Sequence, residues 1–85
     1  MSHILYILRS VSTGRYYVGE TSNLQRRLEF HNEDGKGFTA RYRPWEVAFS
    51  MEYTSREDAL ASERKIKGWK SKKMIERVIQ GKIVP

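Results

Sequence analysis

The sequence predicts an α+β fold, a three-stranded antiparallel sheet flanked by helices in the order β-β-α-β-α-α. Three observations carry that prediction. Two strand-like stretches, the apolar 3–10 and then 15–21, are joined by the turn signal Ser12-Thr13-Gly14, as in an antiparallel hairpin. From Trp45 to Tyr53, large apolar residues alternate with small or acidic ones at period two, the signature of a half-buried strand. The other long stretches show helical spacing behind a polar capping residue.

In chain order, residues 3–10 are apolar at both even and odd positions, so this strand should be covered on both faces. In the hairpin, Tyr6 and Tyr17 should come close to facing each other, within a register slip of one or two residues. Ser22 or Asn23 can cap a helix running to about Asn32, on which Leu24, Leu28 and His31 share one stripe. Arg27 borders that stripe, whereas Arg26 points away from it. Residues 33–44, with two glycines and a proline, read as a loop. In the third strand Trp45, Val47, Phe49, Met51 and Tyr53 should share one face. Thr54-Ser55-Arg56-Glu57 reads as a capping box opening a helix to about Gly68. Ser71 should cap a last short helix with Met74, Ile75, Val78 and Ile79 facing inward.

Eighty-five residues suit one domain, 1–85, with a small core. The absence of cysteine excludes disulfides and thiolate metal sites, and fits a reducing cytoplasm. The longest apolar run, Ile4 to Leu8, is far too short for a membrane span, and no secretory signal is visible. A monomeric, cytoplasmic protein without membrane attachment is therefore expected. The net charge is +6 and lies entirely in residues 61–85, which hold eight Lys or Arg against Glu63 and Glu76. Residues 1–60 balance eight against eight. Such a basic third suits a nucleic-acid partner, with Lys67, Lys70, Lys72 and Lys73 as candidate phosphate contacts. The 33–44 loop adds Lys36, Arg41 and Arg43, interleaved with Phe38 and Tyr42. That mixture fits gripping a backbone and stacking on a base, or equally a loop whose aromatics plug a core edge.

Glu63 is the sharpest chemical clue. Helical spacing puts it in the stripe of Ala59, Leu60 and Ile66, where an ionised carboxylate needs a partner. Lys67 at i+4, Arg27 across the interface, or a hard divalent cation completed by water and phosphate would serve. Arg27 offers a planar fork for phosphate oxygens. His31, one turn on, could move a proton or orient a tyrosine. A tyrosine has an ordinary pKa of about 10, so Tyr6 or Tyr17 could act as base only with help from a nearby cation. Gly19 leaves room for close approach of backbone and substrate. Walker-type loops, dinucleotide fingerprints and Ser-centred nucleophile motifs are absent from the sequence.

The ordered set Ile4-Leu5-Tyr6, ten residues, Tyr17-Val18-Gly19, then Arg27 and His31, resembles the GIY-YIG nuclease superfamily. Ser62-Glu63-Arg64-Lys65-Ile66-Lys67 is similar to its acidic metal-binding helix. The likeness spans nearly the whole chain and is greatest to the small stand-alone bacterial branch. It is more distant to the nuclease domain of the UvrC excision-repair protein. The resemblance implies a DNA endonuclease using one Mg²⁺ or Mn²⁺, structure- or damage-selective, in repair or recombination, alone or within a larger repair complex. It implies Glu63 as metal ligand, Arg27 on the scissile phosphate, Tyr6 or Tyr17 activating water, and His31 assisting.

Three departures stand out. Ile4 replaces the first motif glycine, Glu20 follows Gly19, and no asparagine follows Asn32, although many relatives carry one near the place of Ile75. Glu20 could repel phosphate or serve as a second metal ligand. These departures keep a second reading open, a catalytically weak or inactive nucleic-acid-binding module on the same fold. A third is a domain whose basic tail binds an acidic protein.

Overall fold

The computed structural model describes residues 2–33 and 37–85, so Lys36 lies outside the described residues. Its elements are β1 (His3–Ser10), β2 (Tyr16–Thr21), α1 (Leu24–Glu33), α2 (Phe38–Arg41), β3 (Trp45–Tyr53), α3 (Arg56–Trp69) and α4 (Lys72–Ile79). The three strands form one antiparallel sheet in the order β2-β1-β3, which is the expected α+β arrangement. One addition is the single turn α2, inside the stretch read as loop.

As the central strand, β1 is covered on both faces. Leu5 and Ile7 join Val18, Ile66 and Val78 in one core, which Phe49, Tyr53, Trp69, Ile75 and Ile79 complete. Tyr6 and Leu8 point the other way and join Trp45 in a second core, under Tyr17, Leu24, Leu28 and Tyr42. The first core lies beneath α3 and α4, and the second beneath α1 and α2. Alternating side chains of one strand therefore feed two separate cores.

The third strand departs from its simple alternation. Ile7 pairs with Phe49 and Leu8 with Val47, so Ala48 is an extra residue in a β-bulge. The bulge reverses the facing of the residues before it. Phe49 and Tyr53 remain with the α3 core, while Trp45 turns to the α1 side, buried and donating its indole N–H to the Thr39 carbonyl at 2.8 Å. Val47, expected inside, is 39% exposed. Asn32 fixes the start of this strand. Its Oδ1 accepts the Trp45 backbone N–H at 2.6 Å, and its Nδ2 donates to the Trp45 carbonyl at 3.1 Å.

Asn23 caps the α1 start by accepting from the Arg26 N–H at 3.0 Å. Ser71 caps α4 by accepting from the Met74 N–H. In α3 the cap is one residue later than the box predicts, since Ser55 accepts from the Asp58 N–H. Thr54 starting the helix would have put Glu57, not Asp58, in the reciprocal place. The helix also continues through Gly68 to Trp69, whose ring packs on the core, and stops at Lys70 in the left-handed conformation. No helix among the described residues is long and apolar enough to cross a membrane.

Candidate active site and adjoining groove

The site is built around Gly19. Across the β1–β2 ladder Tyr6 pairs with Gly19, and Leu8 with Tyr17. Tyr6 and Tyr17 are thus diagonal neighbours on one face, two residues off direct opposition, with ring centroids 6.4 Å apart. The expectation that they nearly face each other holds within a slip of two. A Cβ on Gly19 would stand 2.5 Å from the Tyr6 hydroxyl oxygen and 2.6 Å from its ring carbon Cζ. The space that the sequence suggests for substrate is therefore filled by Tyr6 itself. The missing side chain lets the Tyr6 ring cross β2 and reach α1.

There its hydroxyl meets His31 Nε2 at 3.1 Å. The last turn of α1 carries His31, which is 3% exposed, and Tyr17 packs on the imidazole with centroids 4.8 Å apart. Burial pushes the Tyr6 hydroxyl well above its ordinary pKa. The Tyr17 hydroxyl adds to this, Arg27 opposes it, and Glu63 and Glu20 reinforce it. Burial, and then the Arg27 guanidinium, lower the His31 pKa. Both groups are therefore neutral at pH 7. With Tyr6 donating to Nε2, the imidazole proton sits on Nδ1, which lacks a hydrogen-bond partner among the described residues.

That assignment has a pH consequence. The folded pKa of His31 lies below its unfolded value of about 6.5, so its contribution to stability is complete above pH 6.5. As pH falls below that value the unfolded chain takes up the proton first, and stability declines toward the lowered folded pKa. Urea denaturation at pH 7.5 and 5.5 should show the wild type losing more stability than His31→Gln over the same interval. Equal losses would mean that His31 is not held neutral by its surroundings.

Arg27 and Glu63 approach the tyrosines from opposite elements. Arg27 is exposed on α1, with its guanidinium 5.9 Å above the Phe30 ring. It lines a cavity of about 360 Å³ with Thr21, Ser22, Asn23 and Arg26, so Arg26 shares the pocket despite its place off the apolar stripe. Glu63 comes from α3, with its side chain 19% exposed, and Lys67 Nζ lies 3.6 Å from its Oε1. Of the partners open to Glu63 in sequence, Lys67 is the one that the structure records. Lys67 also sits 6.0 Å above the Tyr17 ring, which links Glu63 to the tyrosine face. Glu20 is tied to His3 at 3.5 Å and to Arg56 at 3.6 Å, so two basic side chains meet its carboxylate.

No group of three or more His, Asp or Glu able to hold a metal ion exists among the described residues. One carboxylate on a partly open surface fits Mg²⁺ or Mn²⁺ only as an ion that keeps most of its water and shares a phosphate oxygen, which Mg²⁺ commonly does. Glu63 meets that requirement.

Beyond Tyr17 and Lys67 runs a groove of about 740 Å³ between the β1–β2 turn, α2 and the α3–α4 junction. Of the predicted phosphate contacts, Lys67, Lys70 and Lys72 line it, whereas Arg41, Arg43 and Lys73 do not. Arg43 donates from Nη1 to the Asn32 and Glu33 carbonyls at 3.3 and 3.2 Å, holding the loop to the end of α1. Sequence reasoning missed Arg15 and Tyr16, which also line the groove. The only signal was their place directly after the turn glycine, next to Tyr17.

The GIY-YIG catalytic domain family matches residues 2–76. The chain is 35% identical over 74 residues to a UPF0213 protein of Bacillus pumilus, covering 85% of this chain and 74% of that one. It is 37% identical over 67 residues to UPF0213 protein OB0043 of Oceanobacillus iheyensis, covering 76% of each. Over 47 residues it is 45% identical to the structure-specific endonuclease subunit SLX1 of Phaeosphaeria nodorum, covering 49% of this chain and 13% of that one. The solution structure of UPF0213 protein BH0048 of Bacillus halodurans superposes with a TM-score of 0.62 at 28% identity, covering 100% of this chain and 89% of that one. With its paired tyrosines, His31, Arg27 and the Glu63 helix in the matched region, this chain belongs to the GIY-YIG catalytic domain family.

Proposed function

We propose that this protein is a divalent-metal-dependent DNA endonuclease, selective for branched or damaged DNA, working in repair or recombination alone or within a larger complex. The observation that carries this reading is that Tyr6, Tyr17, His31 and Arg27, with Glu63 near enough to act on the Tyr6 hydroxyl, come together from four elements around Gly19. The likeness to a subunit named as a structure-specific endonuclease supports the substrate class.

Each side chain has a task in phosphodiester hydrolysis. Glu63, now 3.6 Å from Lys67, is the residue that would hold Mg²⁺ or Mn²⁺. When bound, the ion supplies Lewis-acid polarisation of the phosphate and a lower pKa for the attacking water. Arg27 presents its fork to the non-bridging phosphate oxygens as charge builds there. Tyr17 is half-buried and lines the groove, so it is the tyrosine able to meet the attacking water. Tyr6 is a neutral, buried phenol and becomes a base only by passing its own proton to His31 Nε2 as it takes another. The Tyr6–His31 pair therefore accepts a proton without leaving a buried phenolate.

One observation favours the second reading, a binding module without catalysis. Ile75 packs against the α3 core near the place where many relatives carry asparagine. The ion pair of Glu20 with Arg56 works against it, because that carboxylate already has a cationic partner.

The test is a cleavage panel of nicked, branched, damaged, single-stranded and plain duplex DNA with Mg²⁺ or Mn²⁺. Cuts in branched or damaged DNA that vanish with chelator are expected. Salt-sensitive binding without cuts in any of them would establish the binding module instead.

A further inference from the structure

We infer that the groove beside Tyr17 receives an unpaired nucleotide, so that the DNA cut by this protein carries a single-stranded segment next to the scissile bond. This rests on the nuclease reading and narrows its substrate. The groove volume of about 740 Å³ falls within the roughly 300–1,000 Å³ of small-ligand sites. Its floor is apolar, made by Val18, Ile66 and Ile75. Its walls are aromatic. Phe38 is 44% exposed, stacks toward Tyr17 at 6.4 Å and meets Tyr42 edge-on at 4.8 Å.

Cations stand over these rings. Arg15 lies 4.5 Å above Tyr42, Lys72 5.8 Å above Tyr16, and Lys67 6.0 Å above Tyr17. Lys70 adds a fourth positive charge to the lining. Arg15, Lys70 and Lys72 make no ion pair with a carboxylate among the described residues. Cation–π contacts hold such side chains in place without neutralising them, leaving their charge for phosphate. Among the described residues no acidic side chain lines the groove.

This chemistry selects its occupant. Aromatic faces beneath backbone-directed cations are the common device for single strands, because every base offers a π face. In continuous duplex those faces are stacked on each other and unavailable. Tyr17 and Lys67 belong to both groove and catalytic face, so a nucleotide bound here leads its strand toward Glu63.

The first part of the test measures binding in chelator, where no cleavage occurs, and the second measures cleavage with Mg²⁺. One probe is a short duplex bearing a single-stranded flap with 2-aminopurine in the flap, and the other is the same duplex with blunt ends. The wild type should quench the 2-aminopurine and bind the flap at least about tenfold more tightly than the blunt duplex. Phe38→Ala should lose about tenfold on the flap and less than about twofold on the duplex, and Phe38→Trp should retain flap binding. Equal affinity for the two probes, or equal losses by Phe38→Ala on both, would overturn the inference. Cleavage of blunt duplex at full rate by Phe38→Ala would also overturn it while leaving the nuclease reading intact. Groove-dependent flap binding by a protein that never cuts would sink the nuclease reading instead.

Discussion

Glu63→Ala is expected to lower metal-dependent DNA cleavage by at least about a hundred- to a thousandfold, the usual cost of removing one preorganised electrostatic contact from a transition state. The size of the effect follows from the site's poverty in carboxylates. No cluster of three potential ligands exists among the described residues, so removing Glu63 would take away the ion's main protein contact. Binding should behave in the opposite way. The groove cations are unaffected, and Lys67, released from its 3.6 Å contact with Glu63, gains freedom to meet phosphate. Affinity for flap DNA in chelator should therefore stay the same or rise slightly. Fluorescence anisotropy beside a cleavage time course separates the two effects. A variant losing binding and cleavage together would place Glu63 in a structural role.

Among the described glycines, Gly19 is the one where an added methyl meets the closest neighbour, so Gly19→Ala should be strongly damaging. The added Cβ would meet the Tyr6 hydroxyl at 2.5 Å, far inside contact distance, and Tyr6 is only 2% exposed, so its ring has nowhere open to go. Overpacking of this kind costs about 1–3 kcal/mol. Relief requires the ring to withdraw from β2, which breaks the 3.1 Å bond to His31 Nε2. Loss of stability in urea denaturation should thus come with loss of the proton-accepting pair. Removing the phenol in addition, as Gly19→Ala with Tyr6→Leu, should recover part of the stability and none of the Tyr6-dependent activity. Full stability of Gly19→Ala would show that Tyr6 does not occupy this space.

The fold was legible because its signals are local. Asn23 and Ser71 cap where capping chemistry predicts, and the two-sided apolarity of residues 3–10 matches a central strand feeding two cores. The bulge at Ala48 was not legible, because the alternation from Trp45 to Tyr53 is unbroken in sequence. What moves Trp45 to the other face is the demand of the second core, together with the grip of Asn32 on its backbone. In the site, Glu63 stood out because a carboxylate interrupts an apolar stripe, and Arg27 because it borders one. The Tyr6–His31 bond spans 25 residues of chain and depends on hairpin register, so spacing alone could suggest it but not derive it. The groove was least visible. Arg15, Tyr42 and Lys72 come from three distant segments, and only the fold brings their charges over one set of rings.

The most direct measurement is single-turnover cleavage of a flap substrate in Mg²⁺ by wild type and Glu63→Ala, purified identically and shown to melt alike. The proposed function predicts strand cuts beside the flap by the wild type, abolished by chelator and lowered at least about a hundredfold in the variant. Equal cutting by both proteins, or none by a folded wild type that binds the flap, would contradict it.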